Sequence, residues 1–126
     1  MKYLGIDYGQ KRIGLAISDE TGSFAFPLLV ISNSDDIVEE IAKIIKEHMV
    51  GEIIVGESKN FDQKENKIMK EIKPFVKKLG QATGLPIHMY PEFLTSEEAK
   101  RLQGKNDMHD ASAAALILKH FLEAKK

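Results

Sequence analysis

Four acidic residues of this sequence follow or open short apolar segments. Asp7 comes directly after the first apolar run, Glu57 and Glu92 follow later ones, and Asp110 opens the last. Carboxylates that converge in one crevice repel one another unless a cation neutralises them. Oxygen ligands suit Mg²⁺ or Mn²⁺, and a pair of such ions can activate a water and stabilise the leaving oxygen of a phosphodiester. The four acids therefore predict a two-metal site for phosphodiester hydrolysis.

The same acids also have purely structural interpretations. Asp7 and the two residues after it could form a plain turn, because Asp is common in turns. Asp110 lies three residues after Asp107, so it could serve only in capping the last helix. Glu57 taken alone is more typical of a surface acid than of a metal ligand. Spacing leaves these alternatives open.

Basic residues near the acids could hold the phosphates of a substrate. Lys11 and Arg12 follow closely after Asp7, and Arg12 could bind a phosphate bidentately, although a solvated hairpin end is the alternative. The second predicted helix has a basic outer face, which more often serves solubility than contact with phosphates. Its lysines are Lys64, Lys67, Lys70, Lys73, Lys77 and Lys78.

The residue pattern predicts the elements that position these side chains. Alternating apolar residues and polar turns predict three consecutive strands, and Pro27 indicates an edge position for the third because proline cannot donate to a ladder. Helical spacing and buried runs predict further elements, and Pro74 should kink or split the second helix at about Lys73. The predicted strands are 2–6, 12–18, 24–31, 52–55 and 85–90, and the predicted helices are 35–49, 62–79, 96–103 and 111–124.

This order, βββ-αβ-αβ-αα, predicts an α/β fold. We expect one five-stranded mixed sheet, in which a three-stranded antiparallel meander joins two parallel strands, with helices on both faces and the first strand central. Ligands of open α/β sheets bind beyond the carboxyl ends of the strands, which is where the acids follow. The whole chain, residues 1–126, is expected to be a single domain.

Composition excludes several classes of protein. The chain has no cysteine, so disulfides, thiolate zinc sites and cysteine nucleophiles are ruled out. The start is too short for a signal-peptide core, and no run approaches the roughly 18 apolar residues of a membrane span, so we expect a cytoplasmic protein without membrane contact.

The formal net charge is −1, with −5 in residues 1–58 and +4 in residues 59–126. Such a division is compatible with a carboxylate-lined pocket beside a surface for an anion.

Four segments resemble the YqgF/RuvX family of pre-16S ribosomal RNA nucleases and Holliday junction resolvase-like proteins. They are GIDYGQKRIGLAISDETGSFAFPL (5–28), IIVG (53–56), PEFLTSEEA (91–99) and HDASAAALIL (109–118). The resemblance implies an RNase H-like fold, with Asp7, Glu92 and Asp110 as the metal-binding catalytic acids. It also implies a metal-dependent endonuclease that matures the 5′ end of pre-16S rRNA, with the ribosome as a candidate partner.

The sequence departs from the family pattern at two places. Glu57 and Ser58 replace the Leu-Pro that usually follows the fourth strand, and more distant RuvC-like resolvases resemble this chain in having a Glu there. The likeness to those resolvases implies that Glu57 could serve as an additional or substitute metal ligand. Pro91 and Phe93 replace the family's Asp and Arg, and the loss of that Arg removes a phosphate contact.

Three other functions compete with RNA cleavage. A Holliday junction resolvase would need a dimer to cut two strands symmetrically, and no interface stripe remains once the core is filled, so RNA is favoured and the oligomeric state stays open. An ATPase of the actin and Hsp70 type also carries an Asp-x-Gly after its first strand, but it needs a second lobe that this chain is too short to form. A non-catalytic RNA- or ribosome-associated protein of the same fold is compatible with Phe93.

Overall fold

The computed structural model describes residues 1–57, 67–91 and 109–125. Five strands and three helices lie in these ranges. In chain order they are β1 (Lys2–Tyr8), β2 (Arg12–Ser18), β3 (Ala25–Ser32), α1 (Ile37–His48), β4 (Val50–Glu57), α2 (Lys67–Thr83), β5 (Ile87–Pro91) and α3 (His109–Lys125). The predicted helix 96–103 lies outside the described residues.

The strands form one mixed sheet in the order β3-β2-β1-β4-β5. β1 is antiparallel to β2, β2 is antiparallel to β3, and β1, β4 and β5 are parallel to one another. The predicted meander, the central first strand and the two parallel strands are all confirmed. Pro27 is confirmed on an edge strand, where it pairs with Ala16 beside a shift in register.

Residues of β1 alternate between two hydrophobic layers because successive side chains of a strand point to opposite faces. Leu4 and Ile6 pack with α1 and α2, whereas Tyr3 packs with α3. The α1–α2 layer also contains Ile13, Leu15, Ile41, Ile53, Val55, Ile72, Phe75 and Leu79, and the α3 layer contains Ala16, Ile54, Ala114, Ile117, Leu118 and Leu122. Asp7 follows Tyr3 and Gly5 in this alternation, so it belongs to the α3 side of the sheet.

Several predicted element boundaries differ from the observed ones, and two of the differences concern a glycine and a proline. Gly56 does not stop the fourth strand, which runs on to Glu57. α2 is continuous through Pro74, so the predicted split at Lys73 is wrong. Proline removes one helical hydrogen bond, but the burial of Phe75 and Leu79 beyond it keeps the following turns on the core.

Polar contacts hold the turns at the ends of these elements. Asp19 accepts hydrogen bonds from the hydroxyl of Thr21 and from the backbone N–H groups of Ser23 and Phe24, which lower its pKa to about 2. α2 ends where Gly84 takes the left-handed conformation, with φ at +69°, and its N–H donates to the carbonyl of Gly80.

Candidate active site

Asp7 is part of β1 rather than of a turn after it. Its backbone is paired with Gly14 of β2, so the expectation that it lies past the strand, including the plain-turn interpretation, is wrong. The β1 ladder with β2 continues one residue further, to Tyr8, which is why the apolar run underestimates the strand. Asp7 is half-buried and has an interaction partner in the fold.

The carboxyl ends of the three parallel strands lie at one edge of the sheet. Ile6 is level with Val55, and Glu57 is level with Pro91. Asp7 therefore lies at the same edge as the end of β4 and the end of β5. We call this the carboxyl edge, defined by Asp7, Glu57 and Pro91.

Two glycines let α3 approach the sheet closely. A Cβ at Gly5 would lie 2.8 Å from Leu118 Cβ and 3.0 Å from the carbonyl oxygen of Ala114. A Cβ at Gly56 would lie 2.5 Å from Ile117 Cδ1. Such distances are too short for a real side chain, so α3 packs directly on the backbones of β1 and β4 because glycine stands at both positions.

α3 runs antiparallel to β1. Its residue Phe121 contacts the ring of Tyr3, at a centroid distance of 6.2 Å, whereas Ala114, earlier in the helix, meets Gly5. Two strand residues, from Gly5 to Asp7, advance about 6.6 Å. Four helix residues, from Ala114 back to Asp110, advance about 6 Å. The start of α3 is thereby directed to the level of Asp7 at the carboxyl edge.

The turn between β1 and β2 presents Lys11 and Arg12 beside this edge. Both are exposed. Asn33, just after β3, donates from Nδ2 to the carbonyl oxygen of Gly9 at 2.9 Å, and its backbone N–H donates to that of Lys11 at 2.9 Å. A Cβ at Gly9 would lie 2.5 Å from the carbonyl oxygen of Arg12, so the turn requires glycine there.

Sequence reasoning missed this role of Asn33. The short polar side chains of residues 33–36 are typical of a helix N-cap, but Asp36 at the cap of α1 makes no side-chain hydrogen bond. The signal that could have identified Asn33 is the meander itself. The end of β3 returns beside the start of β2, and hence beside the β1–β2 turn.

The predicted acids are described to different extents. Asp7 is described fully, Glu57 ends β4, and Asp110 is the second residue of α3, but the side chains of the last two and all of Glu92 lie outside the described residues. Within residues 1–57, 67–91 and 109–125, no group of three His, Asp or Glu side chains could hold a metal ion. The carboxylates proposed as ligands are hard oxygen donors, which is the chemistry that Mg²⁺ and Mn²⁺ prefer.

A second polar cluster lies toward the opposite edge of the sheet. His88 Nε2 is 2.9 Å from Glu52 Oε1, and Lys125 Nζ is 3.9 Å from Glu52 Oε2 and bonded to the hydroxyl of Tyr3. The hydrogen bond from His88, together with the charge of Lys125, lowers the pKa of Glu52 below its ordinary value of 4.5. This cluster ties the last turn of α3 to β1, β4 and β5.

A family model described as "RuvX: Holliday junction resolvase" matches residues 1–124. The chain belongs to the RuvX family. A RuvX relative from Thermoanaerobacter pseudethanolicus, named "Putative pre-16S rRNA nuclease", is 37% identical over 138 residues, covering 100% of this chain and 99% of the relative. A relative of the same name from Nitratidesulfovibrio vulgaris is 36% identical over 120 residues, covering 94% of this chain and 81% of the relative.

Solved structures share the fold of this RuvX chain. RuvC of T. thermophilus in complex with Holliday junction substrate matches with a TM-score of 0.67 and 20% identity, over 99% of this chain and 95% of the other. The Holliday junction resolvase of fowlpox virus matches with a TM-score of 0.61 and 14% identity, over 100% of both. These likenesses confirm the RNase H-like α/β fold.

Membership in the RuvX family makes the protein a nuclease, a hydrolase of phosphodiester bonds. Its partner is accordingly a nucleic acid. No helix in the described part of the chain is long and apolar enough to cross a membrane.

Proposed function

We propose that the protein is a metal-dependent endonuclease that cleaves structured RNA and matures the 5′ end of pre-16S rRNA. The name of the relatives, "Putative pre-16S rRNA nuclease", supports pre-16S rRNA as the substrate. The observation that carries the proposal is the close packing of α3 on Gly5, which directs the start of the helix toward Asp7 at the carboxyl edge. A crevice at the carboxyl ends of parallel strands is also where open α/β sheets bind ligands.

Asp7, Glu92 and Asp110 are the proposed catalytic acids and metal ligands. They would hold Mg²⁺ or Mn²⁺, and two such ions, when bound, would supply an activated water and stabilise the leaving oxygen of the phosphodiester. The chain's own contribution is a rigid set of carboxylates. β1 fixes Asp7 through its pairing with Gly14 of β2 and through the ladder with β4, which ends one residue earlier at Ile6, and the close contact with Gly5 fixes the height of α3.

The alternation of the strands favours Glu92 over Glu57 as the third ligand. On β5, His88 and Tyr90 lie on the α3 side, where both rings contact Phe121. Glu92 is two residues after Tyr90 and so shares its parity along the chain. Gly56 meets Ile117 of α3, and Glu57 comes one residue later and so has the opposite parity along the chain. Glu57 remains a candidate as an additional ligand.

Lys11 and Arg12 are proposed to bind the substrate's phosphates rather than to take part in the chemistry. They are exposed beside the carboxyl edge, on a turn that Asn33 and Gly9 hold in place. A fixed turn lowers the entropy cost of binding a phosphate through the guanidinium of Arg12.

Cleavage of a 5′-extended 16S rRNA fragment tests the proposal. The protein is incubated with the fragment in Mg²⁺, in Mn²⁺ and in EDTA, and the products are sized. We expect an internal cut at the 5′ end only when a metal is present. Cleavage that continues in EDTA would overturn the metal requirement, and an intact RNA in every condition would overturn the RNA substrate.

A second candidate function is resolution of four-way DNA junctions. The description of the family model and the likeness to RuvC favour it. A four-way DNA junction with labelled arms, incubated under the same conditions, separates the two functions. Paired symmetric nicks with no RNA cleavage would favour the resolvase, whereas RNA cleavage without nicks would favour rRNA processing.

A further inference from the structure

The outer surface of α2 carries a stripe of lysines with a single sign of charge. Lys70, Lys73 and Lys77 are all exposed and have the spacing i, i+3, i+7, which aligns them on one side of a helix. We call these three residues the lysine stripe. The opposite side of α2 buries Ile72, Phe75 and Leu79. Glu71 is the one acid in the sequence of α2, and it lies about 100° around the helix from Lys70.

Solubility alone does not account for the lysine stripe. α1, the neighbouring helix on the same face of the sheet, mixes both signs among its exposed residues: Glu39, Glu40, Lys43, Lys46 and Glu47. The whole chain has a formal net charge of only −1, so a single-sign stripe is not the consequence of a basic composition. The positive field is instead concentrated on one element.

The lysine stripe begins near the carboxyl edge. The ring of Phe75 packs in a tilted arrangement against that of Tyr8, the residue after Asp7, at a centroid distance of 4.9 Å. α2 ends at Thr83, and β5 begins shortly afterwards at the opposite edge of the sheet, so the Lys70 end of the helix points toward the carboxyl edge. The stripe is separated from Tyr8 by about one helix diameter, roughly 10–12 Å.

We propose that the lysine stripe binds the phosphate backbone of a second helical arm of the substrate, away from the cleavage site. This inference rests on the proposed function. From Lys70 to Lys77 the helix advances about 10.5 Å. Successive phosphates of one strand advance about 3.4 Å along a B-form duplex and somewhat less along the A-form helix of RNA. The stripe therefore matches about three to four base-pair steps. Because the stripe is on the face opposite α3, a substrate that occupies both places must bend or branch over the carboxyl edge.

The test compares two RNA probes and two triple variants. One probe is a short stem-loop that contains the cleavage site, and the other is the same stem-loop extended by a second helical arm. The first variant is Lys70→Gln/Lys73→Gln/Lys77→Gln. The matched control, Lys43→Gln/Lys46→Gln/Lys119→Gln, removes the same charge from exposed positions on α1 and α3. Glutamine forms helices about as well as lysine, so both variants should fold.

Binding is measured in EDTA as a function of salt, and cleavage of the short probe is measured with Mg²⁺. For the two-arm probe, the stripe variant should reduce the log–log salt slope by about 2–3, since each lost phosphate contact removes about 0.7–0.9. The control should change the slope less, and cleavage of the short probe should stay at the parent's rate. Equal slopes for the two variants would overturn the inference while leaving the proposed function intact. A parent protein that neither binds nor cleaves the short probe would overturn both.

Discussion

Asp7 lies in the central strand of the sheet, where its backbone pairs with β2 one residue beyond the last pair with β4. β1 pairs with β2 through Gly14 and with β4 up to Ile6. A substitution that preserves the size of the Asp7 side chain should therefore leave the strand in place. This makes Asp7→Asn a test of charge rather than of folding.

The choice between Glu57 and Glu92 is also decided at the scale of single residues. Glu92→Gln should reduce cleavage as much as Asp7→Asn, because both remove a charged ligand. Glu57→Gln should lose about tenfold or less, about 1.4 kcal/mol of barrier. The measurement is the single-turnover rate on one RNA at equal metal concentration. An inactive Glu57→Gln beside an active Glu92→Gln would transfer the role to Glu57.

Lys11 and Arg12 should act on binding and not on chemistry. Changing both to alanine should reduce the log–log salt slope of RNA binding by about 1.4–1.8, the sum of two phosphate contacts. The rate at saturating RNA should change little. Titrating a labelled stem-loop at several salt concentrations measures the slope, with Lys43→Ala/Lys46→Ala as the control. A slope identical to the parent's would return the pair to the status of a solvated turn.

Among the helices and strands, the packing that matters most to the candidate site is that of α3 on β1. Gly5→Ala places a methyl group 2.8 Å from Leu118 Cβ, so the helix must shift. We expect a loss of about 1–3 kcal/mol of stability and a lower cleavage rate. Gly80→Ala is the control, because its Cβ would meet Ile87 Cδ1 at an ordinary 3.6 Å. Thermal melting and cleavage are measured for both; unchanged melting and cleavage in Gly5→Ala would contradict the close packing.

The other end of α3 should make stability depend on pH. Glu52 has a lowered pKa in the folded state, so its contribution is present above its ordinary value of 4.5 and is lost as the pH falls through the lowered value. Glu52→Gln should therefore destabilise the protein at neutral pH and have a smaller effect once the pH falls well below the ordinary value of 4.5. The side chains that face Glu52 are those of Tyr3, His88 and Lys125, and they are the same residues in the parent and in the variant. If the melting temperatures of Glu52→Gln and the parent differ by the same amount at neutral pH and at acidic pH, this role of Glu52 is contradicted.

Local patterns predicted most elements, and the errors have physical causes. Alternation and turn residues are local signals, so β2 is predicted with its observed bounds, 12–18. The sequence pattern predicts a fourth strand that ends before Gly56, because glycine weakens a strand, but in the fold the lack of a side chain at Gly56 serves the packing of Ile117. Pro74 does not split α2, because burial on both sides of it is a tertiary effect that no local pattern records.

The candidate site is a property of the whole molecule. Asp7 and Asp110 are separated by most of the chain, and spacing alone left capping open for Asp110. The proposed approach of the two acids depends on the antiparallel course of α3 over β1 and on Gly5, which become evident only in the folded structure. The division between an acidic first part and a basic second part likewise gains meaning only in the fold, where the lysine stripe lies on α2.

The most direct test of the central claim, that Asp7 is a metal-binding catalytic acid, is RNA cleavage by Asp7→Asn. Asp36→Asn serves as the control, since it removes the same charge from an exposed position before α1. We expect Asp7→Asn to slow Mg²⁺- or Mn²⁺-dependent cleavage at least about a hundredfold, about 2.7 kcal/mol of barrier. Asp36→Asn should cleave at the parent's rate. In metal-free buffer Asp7→Asn should melt no lower than the parent, because converging carboxylates repel one another. If Asp7→Asn cleaves RNA at the parent's rate, Asp7 is not a metal-binding catalytic acid.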